Sequence, residues 1–361
     1  MTSVGLLSLG DLITDPITGV RRTHGQRHRN LVEQAVVAEA TGFSSVHLGE
    51  HHFCDYILSS PPVVLAAIAE RTSTLRLSTG VALGVNLDPV RLAEDYATVD
   101  VLSGGRVEPV IGRGTFFPHT FSAFGQDPRI AKDVFAENLE TLIRLWTEER
   151  VTTIGRHRPS LTDVTVMPRP MQQPRPPIWA GVGASAESID LAARLGLRLM
   201  LPTVFGTIDM FRRAVEIYMH AWDSYGHSRS AMRIGACHHT FVHSDSATAR
   251  ARWEPRYRAY IEWVNELQFQ STGGRSKGLG DFDFDALTGE TAVCGSPAQV
   301  VDRLGSIAEA LSLDTQILMS DMGGMPDDEL FPAIELIGSE VIPALATGSI
   351  RDVAFGRSGS D

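Results

Sequence analysis

Two adjacent histidines in the first part of the chain are candidates for acid–base chemistry. His51 and His52 follow the apolar segment Ser45–Leu48 and lie within the sequence Gly-Glu-His-His-Phe, residues 49–53. An imidazole exchanges a proton near neutral pH and hydrogen-bonds a developing oxyanion. Because successive side chains of a strand point to opposite faces, we expect at most one ring to face a site unless the strand has already ended.

The residues alone leave two other interpretations of the histidine pair open. One is a structural histidine that packs in the core and hydrogen-bonds to Glu50. The other is a metal site in which Glu50 and a histidine of the pair are joined by His238, His239 or Asp321. The ligand spacing that is typical of zinc sites is missing, and the adjacent His238 and His239 meet the same problem of strand alternation.

A glycine-rich turn at residues 181–188, Gly-Val-Gly-Ala-Ser-Ala-Glu-Ser, is the best candidate for an anion site. Its glycines let the backbone approach a phosphate, and the amphipathic helix that follows presents free N–H groups at its positive end. Ser185 and Ser188 could add hydroxyl donors, although a serine in the place of Ser185 often only caps the helix. Arg113, between two glycines, could supply the cation that such a site needs.

Short apolar segments alternate with longer amphipathic ones and predict the fold. The amphipathic segment at residues 132–146 predicts a helix, and Ser296, Pro297 and Gln299 predict the start of another through a capping box. Eight candidate strands predict a parallel sheet, and their number favours a closed TIM (β/α)8 barrel over an open doubly wound sheet. They are Val4–Leu9, Ser45–Leu48, Leu75–Leu83, Val107–Ile111, Ile178–Val182, Leu197–Leu201, Ile234–Val242 and Thr315–Ser320. Because barrel chemistry belongs at the carboxyl ends of strands, the candidate motifs fall where a site is expected.

We predict one barrel domain over residues 1–346 and a flexible C-terminal tail over residues 347–361. An insertion is expected between strands seven and eight, where residues 270–285 are rich in glycine and charge and lack a helical period. This segment is either a mobile lid over the site or a solvated insertion.

Composition narrows the possible partners and the cellular setting. The 361 residues carry a formal net charge of −11, which disfavours general binding to nucleic acid or to an anionic membrane. Three cysteines lie far apart without a Cys-x-x-Cys pair, so we expect a cytoplasmic, reducing setting and neither a disulfide framework nor a zinc site. The apolar run Val4–Leu9 has no basic flank and is better interpreted as a strand than as a signal peptide or a membrane span.

In their order and spacing, the motifs resemble those of the bacterial luciferase-like flavin-dependent monooxygenases. The resemblance covers most of the chain and is weakest between about residue 205 and residue 290. The matching segments are Glu-His-His-Phe at residues 50–53, Ser-Thr-Gly-Val at 78–81, residues 88–95, residues 102–106, Gly-Arg-Gly at 112–114 and Pro-Pro-Ile-Trp-Ala-Gly at 176–181.

The resemblance implies a barrel that binds reduced FMN at its mouth, with a role for each matching residue. It makes His51 the catalytic histidine, Arg113 the phosphate ligand, and Ser185 and Ser188 neighbours of the phosphate. The other predicted cofactor-binding residues are Gly80 and Val81, whose backbone lies against the flavin and in this family is often joined by a non-proline cis peptide, together with Gly112 and Ala184. Gly112 occupies the position of the reactive cysteine of true luciferases, so light emission is not expected.

The resemblance also implies partners and a reaction. A separate flavin reductase would supply reduced FMN, dioxygen would add at the flavin C4a carbon, and the resulting peroxide would oxygenate a small organic substrate. Phe53, Phe116, Phe117 and Phe121 either line an apolar substrate pocket or pack in the core. A homodimer is expected. The alternatives are an F420-dependent oxidoreductase that transfers hydride, a flavin-binding protein without turnover and, more distantly, a metal-dependent hydrolase.

Overall fold

A parallel sheet curls around an apolar core and nearly closes on itself in this computed structural model, which describes residues 2–275 and 278–347. The strands are β1 Ser3–Ser8, β2 Ser45–Leu48, β3 Arg76–Thr79, β4 Ala82–Leu83, β5 Val110–Gly112, β6 Val151–Thr153, β7 Leu161–Val164, β8 Trp179–Gly181, β9 Arg198–Leu201, β10 Ile234–Val242, β11 Val293–Gly295 and β12 Thr315–Met319. The order in the barrel sheet is β3-β2-β1-β12-β10-β9-β8-β5-β4.

The two ends of this sheet are halves of one predicted strand, which explains how the barrel closes. The expected strand Leu75–Leu83 is interrupted at Gly80 and Val81, so that β3 pairs with β2 while β4 pairs with β5. A parallel bridge between Leu77 and Val107 joins the edges further down. With the two halves counted as one strand, the barrel has the eight predicted positions, and the predicted TIM-barrel fold is confirmed.

Helices surround the sheet. They are α1 His24–Ala40, α2 Pro61–Ala69, α3 Pro89–Leu102, α4 His119–Ala123, α5 Ala131–Thr147, α6 Ala186–Arg194, α7 Ile208–Ser224, α8 Ser246–Ser271, α9 Phe284–Gly289, α10 Pro297–Leu311, α11 Asp327–Leu336 and α12 Ile342–Thr347. The three predicted helices are present, as α5, α6 and α10, and at the start of α10 the Gln299 Oε1 atom accepts a hydrogen bond from the Ser296 amide at 3.0 Å. Apolar periodicity was a sufficient signal for α5, and the capping residues were a sufficient signal for the start of α10.

The segment between the seventh and eighth barrel strands, β10 and β12, carries the predicted insertion. It contains the long helix α8, the short helix α9 and the strand β11, which pairs in parallel with β10. The loop predicted over residues 270–285 is shorter at both ends, because α8 continues to Ser271 and α9 begins at Phe284. Residues 276 and 277 lie outside the described residues, as does the predicted tail apart from Thr347, the last residue of α12.

Some connections were not predicted from the sequence. An antiparallel hairpin of β6 and β7 lies between α5 and β8. Pro109, which we placed inside the fourth strand, lies just before β5, and its carbonyl accepts a hydrogen bond from the Trp179 amide at 2.9 Å. A proline lacks the amide that a central strand needs, so the strand begins after it.

The C-terminal segment Asp327–Thr347 is long and apolar enough to cross a membrane by length and composition. In the structure, however, Leu330, Ile334, Ile337 and Val341 are completely buried against the rest of the protein. One face of this segment therefore packs in the core of the protein.

A buried ion cluster connects the amino-terminal and carboxyl-terminal parts of the barrel. Arg27 of α1 donates from Nη2 to Asp321, which follows β12, at 2.6 Å and lies 3.4 Å from Asp11. Burial raises the pKa of Asp11 to about 6, against the opposing effect of Arg27. One guanidinium thus faces two carboxylates in the protein interior, where an unpaired charge is costly.

Candidate active site

A cavity of about 440 Å³ opens at the carboxyl ends of the barrel strands, a volume ordinary for a small-molecule site. Every residue that we predicted to form the site lines it. These residues are His51 after β2, Gly80 and Val81 between β3 and β4, Gly112 and Arg113 at the end of β5, and Ala184, Ser185 and Ser188 around the start of α6. The fold thus brings segments from distant parts of the chain to one cavity.

His51 is held in place by its backbone and by aromatic neighbours. Its amide donates to the Leu58 carbonyl at 2.9 Å, its ring stacks on Tyr56 at 4.2 Å between centroids, and Phe117 packs edge-on with its centroid 5.6 Å from that of the imidazole. The Nδ1 atom is buried and has no hydrogen-bond partner among the described residues. Burial lowers the pKa of His51 to about 4, so the ring is neutral at pH 7 and available to accept a proton or a hydrogen bond.

His52 differs from its neighbour because Glu50 holds it. The His52 Nε2 atom lies 2.8 Å from Glu50 Oε1, and Glu50 Oε2 accepts a hydrogen bond from the Leu83 amide at 3.0 Å. The interpretation as a packed histidine bonded to Glu50 therefore describes His52, whereas the ring of His51 makes no such bond to Glu50. Phe53 is mostly exposed and does not line the cavity.

Two glycines make room for Val81, which is joined to Gly80 by a cis peptide bond, as the resemblance implied. A Cβ atom on Gly112 would lie 2.7 Å from Val81 Cγ2, and one on Gly181 would lie 2.6 Å from Val81 Cγ1. Real Cβ atoms do not approach so closely, so both positions require glycine while Val81 keeps this place. The three residues form a backbone wall with little side-chain cover on one side of the cavity.

Arg113 is half-buried, and its guanidinium makes no hydrogen bond or ion pair with any residue in the described ranges. Burial lowers the pKa of this arginine, and Glu187 opposes the shift. Glu187 itself pairs with Lys132. Arg113 thus remains a partly desolvated cation at the cavity wall.

The hydroxyl groups of Ser185 and Ser188 line the cavity and do not cap α6. Ser185 precedes α6, but its hydroxyl makes no capping bond to the helix, contrary to the structural alternative that we considered. The Ser188 hydroxyl lies 3.4 Å from that of Ser185, and both residues line the cavity. The hydroxyls and the start of the helix therefore face the same space as Arg113.

Several side chains of the alternative metal site already have partners within the protein. Asp321 accepts from Arg27, Glu50 pairs with His52, and the Nδ1 atom of His238 lies 3.1 Å from the Thr291 carbonyl oxygen. The residues in the described ranges contain no group of three or more histidine, cysteine or carboxylate side chains arranged to hold a metal ion.

The structure adds lining residues that sequence reasoning missed. Tyr260, Val264 and Gln268 recur every four residues along α8 and present one helix face to the cavity. The Tyr260 hydroxyl oxygen lies 2.7 Å from that of Tyr56, and Gln268 donates to the Phe116 carbonyl. This spacing was visible in the sequence, but only the fold shows that this face of the insertion covers a site.

The predicted aromatic lining is correct in part. Phe116 and Phe117 line the cavity, and Phe116 stacks on Phe205 at 5.5 Å between centroids. Phe121, in contrast, is buried in the core away from the cavity, because α4 turns that side chain inward.

Comparison with known proteins agrees with this geometry. The family model described as luciferase-like monooxygenase matches residues 11–314. The chain belongs to the luciferase-like monooxygenase family. The eight predicted site residues fall within the matched range, although the match does not by itself assign a role to any of them.

Individual relatives extend over nearly the whole chain. The monooxygenase RslO1 from Streptomyces bottropensis is 27% identical, with a TM-score of 0.83 over 95% of this chain and 99% of that one. The oxygenase component of the flavin-dependent trigonelline monooxygenase of Acinetobacter baylyi is 24% identical over 91% of this chain and 93% of its own length.

More distant structures share the fold with different cofactors. The oxygenating constituent of 3,6-diketocamphane monooxygenase from Pseudomonas putida, in complex with FMN, is 20% identical with a TM-score of 0.75, covering 96% of this chain and 99% of that one. An F420-dependent secondary alcohol dehydrogenase has the same TM-score of 0.75 at 18% identity, covering 95% of this chain and 99% of its own. The fold is thus shared by a monooxygenase constituent solved with FMN and by a dehydrogenase described as F420-dependent.

Proposed function

We propose that this chain is the oxygenase component of a two-component monooxygenase. It would take reduced FMN from a separate reductase and use dioxygen to oxygenate a small organic substrate. The observation that carries the proposal is the meeting of an unpaired Arg113 and an unpartnered His51 in one cavity lined by the backbone of Gly80 and Val81.

The cavity fits FMN by the chemistry of its wall. Arg113, with the hydroxyls of Ser185 and Ser188 and the start of α6, would hold the phosphate. The wall formed by Gly112, Gly181 and Val81 would lie against the flat ring system, because no larger side chain fits there. Once bound, reduced FMN supplies the electrons that activate dioxygen.

The protein's own part is to position groups, move a proton and exclude water. His51 would act as a neutral base or hydrogen-bond partner, since the pKa of about 4 leaves it uncharged at pH 7. Stacking on Tyr56 fixes its ring plane. The face of α8 and the bond from Gln268 to Phe116 would cover the cavity and keep bulk water away from the reacting groups.

Two alternatives remain, and one structural feature favours FMN over F420. Arg113 is the only arginine or lysine that lines the cavity among the residues described, which matches the single phosphate of FMN better than the longer anionic tail of F420. A flavin-binding protein without turnover would not need a neutral imidazole in the cavity wall, where His51 lies. The homodimer and the cytoplasmic setting belong to the proposal as well.

Anaerobic titration with reduced FMN and with reduced F420, followed by mixing with oxygen, tests the proposal. We expect reduced FMN to bind and its return to the oxidised absorbance to be slower than for free reduced FMN. Selective binding of F420 without oxygen reactivity would assign the chain to hydride transfer instead. Binding of FMN with reoxidation as fast as in free solution would favour the non-catalytic alternative.

A further inference from the structure

His239 is a polar residue of the cavity wall that takes no part in the proposed reaction. It lies on β10 and is buried except where it lines the cavity. Its Nδ1 atom lies 3.0 Å from the Tyr257 hydroxyl, and the edges of Tyr257 and Tyr260 pack against its ring at 5.3 and 5.5 Å between centroids. Three contacts therefore fix the orientation of one imidazole.

The other ring nitrogen of His239 has no partner in the protein. Nε2 makes no hydrogen bond with the residues of the described ranges, and it is not among the polar atoms sealed from solvent. A hydrogen-bond partner for Nε2 must therefore come from a molecule in the cavity. A polar atom at an apolar wall is costly unless a ligand or a water satisfies it.

His239 offers a neutral hydrogen bond of either sense. Burial, and then the neighbouring His238, lower the pKa of His239 to about 3, so the ring is uncharged at pH 7. The Tyr257 hydroxyl is able to donate to Nδ1 or to accept from it. Nε2 accordingly donates to a carbonyl in one tautomer and accepts from a hydroxyl in the other.

The remaining wall carries little charge for a substrate to use. Glu50 is occupied by His52 and the Leu83 amide, and Arg113 is the one cation that lines the cavity in the described part of the chain. Once Arg113 holds a phosphate, an anionic substrate would enter without a counter-ion, which is unfavourable in an apolar surrounding. The neighbours of His239 in the wall are mostly apolar or aromatic, among them Cys237, Tyr260, Val264 and Met319.

We infer that His239 binds the substrate and selects an uncharged, largely apolar molecule through one hydroxyl or carbonyl group. Tyr257 is the positioning residue that holds the ring of His239. This inference rests on the proposed function, because it reserves Arg113 for the phosphate of FMN.

A matched set of planar probes tests the inference without turnover. Binding of 2-naphthol, naphthalene and naphthalene-2-sulfonate to the full chain loaded with oxidised FMN is measured by equilibrium dialysis. The wild-type protein should prefer 2-naphthol to both others. His239→Phe should lower the affinity for 2-naphthol about three- to tenfold, as expected for one neutral hydrogen bond, and leave naphthalene within about twofold.

Two further variants separate a binding role from a structural one. His239→Gln keeps a group of both hydrogen-bonding senses and should restore at least part of the preference for 2-naphthol. Tyr257→Phe removes the positioning bond and should weaken the preference less than His239→Phe does. FMN affinity, measured for each variant, shows whether the fold and the cofactor site remain intact.

The outcomes distinguish this inference from the proposed function. An unchanged preference in His239→Phe, no preference for 2-naphthol in the wild-type protein, or tightest binding of the sulfonate would each overturn the inference while leaving FMN binding untouched. Failure of the wild-type chain to bind reduced FMN in the anaerobic titration would instead refute the proposed function, and the probes would then be compared in the chain without cofactor.

Discussion

Arg113→Met is the sharpest test of the phosphate assignment. The substitution removes the guanidinium but keeps an apolar side chain of similar length. Because Arg113 has no hydrogen bond or ion pair with another described residue, its removal leaves no protein group unsatisfied. A change in affinity would therefore report the contact with the ligand alone.

The expected magnitude follows from the chemistry of one charge-assisted contact. Such a bond contributes about 1.5–3 kcal/mol, which corresponds to a loss of roughly ten- to 150-fold in FMN affinity. Riboflavin lacks the phosphate, so its affinity should change by less than about twofold. Because burial already disfavours the charged form of Arg113, the variant should be no less stable to heat than the wild type.

The assay is a comparison of Kd for FMN and riboflavin in three proteins. Lys132→Met is the matched control, since Lys132 is also a cation near the start of α6 but pairs with Glu187 outside the cavity wall. The control should affect FMN binding by no more than about threefold. Equal losses for FMN and riboflavin in Arg113→Met, or a larger loss in the control, would refute the reasoning.

Three further predictions concern catalysis, packing and pH. His51→Ala should lower kcat by roughly 10²–10⁴-fold and leave FMN affinity nearly unchanged. His52→Ala is the adjacent control, and it should lower kcat less because His52 is already bonded to Glu50. Steady-state oxygenation and FMN titration measure both effects, and equal activity of His51→Ala and the wild type would rule out a catalytic role for His51. Gly112→Ala should destabilise the protein by about 1–3 kcal/mol and weaken FMN binding, because the new methyl group overlaps Val81. Adding Val81→Ala should recover much of the stability, as measured by urea unfolding. If Gly112→Ala alone were as stable as the wild type, the packing argument would be wrong. Burial raises the pKa of Asp11 from 3.8 to about 6, so the folded protein binds a proton at Asp11 more tightly than the unfolded chain does. The stability that this proton contributes is therefore fully present below about pH 4 and is lost as the pH rises through 6. Asp11→Asn should therefore gain about 3 kcal/mol relative to wild type between pH 4 and pH 7, and a difference independent of pH in urea unfolding would show that the carboxyl does not titrate in this range.

The sequence by itself determined most of the barrel strands, several helices and the family resemblance. Apolar periodicity located α5, and the capping residues located the start of α10, because these signals act over a few neighbouring residues. The site motifs lie next to strands, so the (β/α)8 prediction was enough to bring them to one end of the barrel. For this reason every predicted site residue, from His51 to Ser188, lines one cavity.

Only the tertiary structure decided which of these residues are free to act. His51 and His52 are equivalent in sequence, and the difference between them arises because Glu50 bonds His52 and is itself held by the Leu83 amide of another strand. Likewise, Val81, which lies between β3 and β4, requires a glycine at position 112, and one face of α8 covers the cavity. Hydrogen bonding and steric exclusion act between atoms that the fold brings together, so local sequence patterns do not contain them.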